Sequence, residues 1–97
     1  MKITLRGFDW DDANLKKLEK HGVTQEEAEE IFYLSPWIDE GAYEKKGERR
    51  FRCLGITGGG RFLAAFFTIR QGLIRNISVR PMRRKERRIY EEEKNPT

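Results

Sequence analysis

Cysteine and histidine are nearly absent from this chain, with one of each among 97 residues. Cys53 alone cannot form an intrachain disulfide, which fits a reducing compartment. Cys53 and His21 stand far apart in the sequence, so a zinc site is not expected. Cys53 lies in an alternating, strand-like segment, which indicates a small core side chain rather than a nucleophile.

Long apolar runs and glycine-rich phosphate loops are also missing. No run approaches the length of a membrane span, and the N-terminus lacks the apolar core of a signal peptide. We therefore expect a cytoplasmic protein that does not contact a membrane. Gly58-Gly59-Gly60 lies between two strand-like segments rather than between a strand and a helix, which indicates a turn. Neither a metal ion nor another cofactor is expected.

Charge is divided unevenly along the chain. Residues 1–47 carry 7 Lys/Arg and 11 Asp/Glu, a net charge of −4, whereas residues 48–97 carry 13 Lys/Arg and 5 Asp/Glu, a net charge of +8. In the basic half 11 of the 13 cations are arginines, whose planar fork suits phosphate. The pattern favours an anionic partner. The alternative is that helices carry acids and strands happen to carry arginine.

The first third of the chain predicts a strand and a helix hairpin. Alternation indicates a short strand at 1–8, and the stripe that follows predicts a helix at 11–20, capped by an aspartate. A T-x-x-E capping box at 24–27 begins a second helix, which Ser35-Pro36 ends. A connection this short predicts two helices that pack as a hairpin.

The remainder predicts an antiparallel meander and a final helix. Short turns separate four strand-like segments, 37–43, 49–57, 61–70 and 73–80. The third segment is apolar on both faces up to Arg70, so it is expected to lie in the centre of the sheet. Pro81 ends the last strand, and a helix at 82–93 follows, with residues 94–97 frayed. The predicted fold is a single α+β domain over 1–97.

The candidate chemistry needs no metal, because the 2′-hydroxyl of RNA can itself attack the adjacent phosphate. The side chains that could transfer the protons are His21, Glu48, Glu86 and Tyr90. The side chains that could stabilise charge on the phosphate are Arg70, Arg80, Arg83 and Arg87.

Structural interpretations remain open for each of these groups. His21 could cap a helix, and Glu86 could pair with Arg83 or Tyr90. Tyr90 could be an aromatic at the edge of the core with a hydrated hydroxyl. The arginines at 49, 50 and 52 could line a solvated strand.

Motifs along most of the chain resemble one known family. The motifs are Phe8-Asp9-Trp10-Asp11, Lys20-His21-Gly22-Val23, Glu48-Arg49-Arg50, Thr68-Ile69-Arg70, Ile77-Ser78-Val79-Arg80 and Glu86-Arg87-Arg88 with Tyr90. Their order and spacing resemble the BrnT toxins of type II toxin–antitoxin systems. The chain departs from the family pattern at Pro81-Met82-Arg83, a change that could shift the start of the last helix and so the position of Glu86.

The resemblance implies a RelE-like fold and a metal-independent endoribonuclease that inhibits growth. It implies RNA as substrate and a BrnA-like ribbon-helix-helix antitoxin as partner, with operator DNA bound only through the complex of the two proteins. The catalytic residues expected on this basis are His21, Arg70, Arg80 and Glu86. The expected RNA-binding residues are Lys20, Arg61, Arg83, Arg87 and Tyr90. The alternatives are a non-catalytic regulator and a general RNA-binding module.

Overall fold

The computed structural model describes residues 7–94, without the side chains of residues 40–43. The elements in chain order are α1 (Asp12–Glu19), α2 (Gln25–Tyr33), β1 (Trp37–Lys45), β2 (Glu48–Ile56), β3 (Phe62–Arg70), β4 (Leu73–Pro81) and α3 (Arg84–Lys94). The predicted strand at 1–8 lies outside the described residues except at its end, where Phe8 forms a parallel bridge to Ile74. Of the segment predicted to fray, 94–97, Lys94 is the last residue of α3, and the rest lies outside the described residues.

Both N-terminal helices begin at a capping box. The Asp11 side chain accepts a hydrogen bond from the Asn14 N–H, and the Asn14 side chain accepts one from the Asp11 N–H. Thr24 and Glu27 form the same reciprocal pair at α2, which confirms the predicted start of that helix. The turn between the helices passes through Gly22 at φ +63°, a left-handed conformation that glycine adopts without strain.

The strands form one antiparallel meander in the order β1-β2-β3-β4, as predicted. The β3–β4 turn places Gln71 and Gly72 at φ +54° and +79°, and positive φ at both central residues is the mark of a type I′ hairpin turn. β2 and β3 lie in the centre of the sheet. Together with three helices, this sheet confirms the predicted α+β fold.

Apolar side chains on the two faces of the sheet pack against different helices. On one face α1 and α2 cover a core that includes Ile31, Cys53, Leu63, Phe67 and Val79. The other face holds a smaller cluster of Leu54, Ala64 and Tyr90, with Phe62, Phe66 and Ile89 packed around it. Strand β3 contributes to both clusters because its side chains alternate between the faces.

Gly55 allows α2 to approach β2 closely. A Cβ atom at Gly55 would lie 2.7 Å from the Ile31 carbonyl oxygen and 2.8 Å from its Cβ. We expect Gly55→Ala to lower the free energy of unfolding by about 1–3 kcal/mol, because α2 must move to relieve the overlap. Urea unfolding measures the effect. Gly59→Ala is the control, because the nearest atom to its new Cβ is 3.9 Å away. Equal stability of the two variants would contradict this close approach.

Candidate functional site

Five arginines of three neighbouring strands share the face of the sheet that lies opposite the core under α1 and α2, and α1 reaches the edge of this face beside β4. The Arg80 guanidinium lies 5.0 Å from the ring centroid of Phe66, and Arg52 is the cross-strand partner of Phe66. Alternation along the strands, and the pairing of Arg75 with Thr68, place the others on the same face. We call this surface the arginine face, and its residues are Arg50, Arg52, Arg70, Arg75 and Arg80.

At one end of the arginine face, Arg80 is held by Glu86 from α3. Arg80 Nη1 donates to Glu86 Oε1 at 2.7 Å, and Nη2 donates to Oε2 at 2.9 Å. The side chains of Arg80 and Glu86 are only 16% and 8% exposed. A bidentate pair of this kind fixes the plane of the guanidinium, so Arg80 has a defined orientation before any ligand arrives.

Glu86 also caps α3. Its Oε1 accepts the Arg83 N–H at 2.8 Å, and since α3 begins at Arg84 this bond is one half of a capping box. Burial acts to raise the pKa of the Glu86 carboxyl, but the bonds from Arg80 and Arg83 and the charges of Arg80 and Arg52 hold it below its usual range. Glu86 is therefore ionised at neutral pH.

The sequence left two partners open for Glu86, namely Arg83 and Tyr90. Its ion-pair partners are Arg80 and Arg52, whereas Arg83 contributes its backbone N–H. The Tyr90 hydroxyl donates instead to the Ser35 carbonyl oxygen at 2.6 Å. The segment 81–83, where the chain departs from the family pattern, runs from the last residue of β4 to the residue that precedes α3, whose N–H bonds to Glu86.

Arg52 also belongs to this site. The sequence alone allowed it to be interpreted as part of a solvated strand. Its Nη2 lies 2.8 Å from Asp39 Oδ2, and its Nη1 lies 3.6 Å from Glu86 Oε2. Its guanidinium carbon is 5.9 Å from the Trp37 ring centroid, and its Nε is buried without a hydrogen-bond partner. The sequence signal for Arg52 was its position in the alternating pattern of β2. That pattern assigns Arg52 to one face of the sheet but does not show which helix packs on that face.

Arg70 lies at the other end of the arginine face and does not join Arg80. Arg80 pairs with Ala64 across β3 and β4, and Ala64 and Arg70 are six positions apart on β3, or roughly 20 Å along the strand. Arg70 Nη2 lies 3.4 Å from Glu48 Oε2, and Arg50 Nε lies 3.3 Å from Glu48 Oε1. The structure therefore does not hold Arg70 and Arg80 side by side, as a shared role at the scissile phosphate would need.

Lys20, His21 and Arg61 gather elsewhere, at the turn between α1 and α2. Arg61 Nη1 donates to the Gly22 carbonyl oxygen at 3.0 Å and to Glu27 Oε1 at 2.9 Å, and its Nη2 lies 3.5 Å from the His21 carbonyl oxygen. Lys20 and His21 are exposed. This turn belongs to the helices on the face opposite Arg80, so the fold does not bring His21 to the Arg80–Glu86 pair.

The predicted RNA-binding residues on α3 have different exposures. Tyr90 is 3% exposed, packs edge-on against Phe62 and donates its hydroxyl to Ser35, so the structure does not present this predicted RNA-binding residue to RNA. Arg83 and Arg87 are exposed. Arg87 lies 3.8 Å from the Phe62 ring centroid and forms an ion pair with Glu91 at 3.3 Å.

Residues 7–94 give little support for a metal site, a reactive cysteine or a membrane-spanning helix. Within that range, no three His, Cys, Asp or Glu residues are grouped so that they could hold a metal ion. Cys53 is buried, and burial raises the pKa of its thiol far above the usual range. Among the described helices, none is long and apolar enough to cross a membrane.

Comparison with known proteins gives a family match. The model of a family described as "Ribonuclease toxin, BrnT, of type II toxin-antitoxin system" matches residues 10–86. The matched range begins before α1 and ends at Glu86, so it includes the whole arginine face. A search of the curated proteins finds no match.

Proposed function

Because the chain belongs to the BrnT family of ribonuclease toxins from type II toxin–antitoxin systems, we propose that it cleaves RNA at the Arg80 end of the arginine face, without a metal ion. The observation that carries this proposal is the bidentate Arg80–Glu86 pair, with Arg52 beside it. A guanidinium held in a fixed plane costs little reorganisation when a phosphate binds.

In the proposed reaction the 2′-hydroxyl of the RNA loses its proton to water and its oxygen bonds to the adjacent phosphorus. The bond from phosphorus to the 5′-oxygen of the next nucleotide breaks, and that oxygen takes up a proton from water, which leaves a 2′,3′-cyclic phosphate. Arg80 stabilises the charge that develops on the phosphate oxygens, and exposed Arg83 and Arg87 bind flanking RNA. The contribution of Arg80 is charge and orientation rather than proton transfer, because a guanidinium group offers hydrogen-bond donors and no acceptor.

We assign Glu86 to the positioning of Arg80 instead of to proton transfer. Its carboxylate is ionised, nearly buried, and bonded through both oxygens. A general acid must carry a proton at the working pH, and a general base needs a free lone pair directed at the substrate. His21 lies at the α1–α2 turn, so it could transfer a proton only to RNA that passes around the sheet. In this proposal the main catalytic contribution is therefore stabilisation of charge by Arg80.

We further propose that a BrnA-like ribbon-helix-helix antitoxin neutralises the toxin by covering the arginine face, and that the complex binds operator DNA. An acidic segment of the antitoxin would replace RNA on the arginines and so relieve growth inhibition in the cytoplasm. A complex that leaves Arg70 and Arg80 open to solvent would contradict occlusion of this face.

Incubation of purified protein with total RNA, in the presence and absence of EDTA, tests the proposed chemistry. We expect cleavage to persist in EDTA and to leave 2′,3′-cyclic phosphate ends, because the nucleophile belongs to the RNA. A parallel incubation with ribosomes shows whether cleavage of the RNA depends on the ribosome. Loss of cleavage in EDTA and its recovery on addition of Mg²⁺ would contradict a metal-free reaction. RNA binding without cleavage, with and without ribosomes, would favour the regulatory alternative.

A further inference from the structure

The end of the arginine face remote from Arg80 forms a cleft of its own. The cleft lies between α1 and the paired ends of β2, β3 and β4, and has a volume of about 140 Å³. Its lining residues are Ala13, Asn14, Lys17, Glu48, Arg50, Thr68, Arg70, Arg75, Asn76 and Ile77. A cavity of about 150 Å³ admits one benzene ring, so this cleft has room for a single phosphate or ribose but not for a dinucleotide.

Charge in the cleft favours an anion. Four of the lining side chains are cations, and Glu48 is the one carboxylate among them. Glu48 contacts Arg50 at 3.3 Å and Arg70 at 3.4 Å, distances near the long end for charged pairs, and the Arg70 side chain is 54% exposed. An arriving anion can therefore bind these arginines without breaking a tight, buried pair.

Arg75 and Asn76 lie next to each other on β4, and their side chains point to opposite faces of the sheet. Arg75 is only 17% exposed and is held by Asp11 at 2.9 Å and Asp9 at 3.5 Å, so its position is set by the N-terminus of α1. Asn76 is 2% exposed, and its side-chain amide nitrogen and oxygen are both buried without a hydrogen-bond partner. Because Asn76 pairs with Phe67 of the core, its side chain points away from the arginine face, so Arg75 is the residue that prepares the cleft for an anion.

We propose that this cleft is a second RNA-binding subsite, which holds a backbone phosphate of the substrate away from the cleaved bond. The inference rests on the proposed function, because it names another contact for the same RNA. Arg70 and Arg80 lie roughly 20 Å apart along β3, a span that corresponds to about six stacked nucleotides at ~3.4 Å each. The arginine face between them is then a track for single-stranded RNA, with Arg80 at the reacting phosphate and Arg70 anchoring a flanking one.

The test measures binding of RNA that cannot be cleaved, so that its result does not depend on catalysis. The probes are fluorescently labelled 2′-O-methyl RNA oligonucleotides of 12 and 3 nucleotides, titrated with full-length protein at several salt concentrations. The test variant is Lys17→Gln/Arg70→Gln, which removes two exposed cations of the cleft. The matched control is Lys16→Gln/Arg49→Gln, which removes an exposed lysine of α1 and an exposed strand arginine that lies over Phe51 on the opposite face.

We expect the test variant to bind the 12-mer about tenfold more weakly than wild type, with the slope of log affinity against log salt reduced by about 1.4, or ~0.7 for each lost contact. The control variant should bind the 12-mer like wild type, and both variants should bind the 3-mer equally. Equal losses in the two variants, an unchanged salt slope, or no binding of the 12-mer by wild type would overturn the proposal.

Two further outcomes separate this inference from the proposed function. Wild type that binds the 12-mer through the cleft but never cleaves natural RNA would overturn the proposed catalysis and leave the subsite standing. A test variant that binds RNA normally but loses its antitoxin would assign the cleft to the protein partner and overturn the RNA subsite.

Discussion

Replacement of Arg80 by alanine is expected to lower the rate of RNA cleavage by about 10²–10³-fold, because it removes the oriented charge that we place at the reacting phosphate. The measurement is single-turnover cleavage of a labelled RNA by purified protein. Arg88→Ala is the matched control, since Arg88 is an exposed arginine of α3 and has no role in the proposed reaction. Wild-type cleavage by a folded Arg80→Ala protein would remove Arg80 from the active site.

The same substitution also affects stability, so a second variant is needed. Arg80→Ala leaves the Glu86 carboxylate nearly buried with only Arg52 and the Arg83 N–H to compensate it. Arg80→Lys keeps the charge near Glu86 but cannot form the two parallel bonds. We expect Arg80→Lys to stay folded, as judged by circular dichroism and urea unfolding, and to cleave RNA far more slowly than wild type. If the lysine variant is folded and fully active, the orientation of the guanidinium is irrelevant to the reaction.

Replacement of Glu86 by alanine is expected to lower the free energy of unfolding at pH 7 by about 3–5 kcal/mol. The change leaves Arg80 and Arg52 close together without their shared carboxylate and removes the cap that α3 receives at the Arg83 N–H. Urea unfolding measures the loss. Glu91→Ala is the control, because the Arg87–Glu91 pair is more than half exposed and such pairs contribute about 0.3–0.5 kcal/mol.

The pH dependence of this effect has a definite sign. The pKa of Glu86 is lowered in the folded protein, so its contribution is fully present above the unfolded carboxyl pKa of about 4.3 and disappears as the pH falls through the lower folded value. We therefore expect wild type and Glu86→Ala to converge in stability under acid conditions. A Glu86→Ala protein that is no less stable than Glu91→Ala at pH 7 would contradict the structural role of this carboxylate.

Glu86→Gln distinguishes positioning from proton transfer. Glutamine retains the shape of the side chain and one acceptor oxygen, so part of the contact with Arg80 survives. If Glu86 only positions Arg80, the rate of cleavage should fall because the contact with Arg80 is weaker. The dependence of the rate on pH should then keep its shape. Loss of the acidic limb of the profile, with a fall of about 10²–10⁴-fold, would restore Glu86 as a general base.

Much of the fold could be predicted from the sequence because its determinants are local. The capping box at Thr24 and Glu27, the glycine after α1 and the positive-φ turn at Gln71-Gly72 each act over a few residues. The apolar character of both faces of β3 likewise indicated a central strand, because only a strand covered on both sides buries both sets of side chains.

The candidate site was harder to predict because its contacts join distant parts of the chain. The sequence pointed to Arg80 and Glu86, but Arg52 depends on the β2–β3 pairing that brings it beside Phe66. The sequence left Tyr90 open as an RNA-binding residue or as an aromatic at the edge of the core, and the packing of α3 buries it. Burial of one helical position is decided by the angle at which the helix packs, which no short motif specifies.

By itself, then, the sequence determined the elements of this protein, its basic second half, and its resemblance to a toxin family, because periodicity, capping and motif spacing are properties of neighbouring residues. Only the tertiary structure decided which arginines act together. It separated Arg70 from Arg80 by the length of β3 and placed His21 on the opposite side of the sheet. It also joined Arg52 and Arg80 through Glu86, since cross-strand register and helix docking set distances that residue order leaves open.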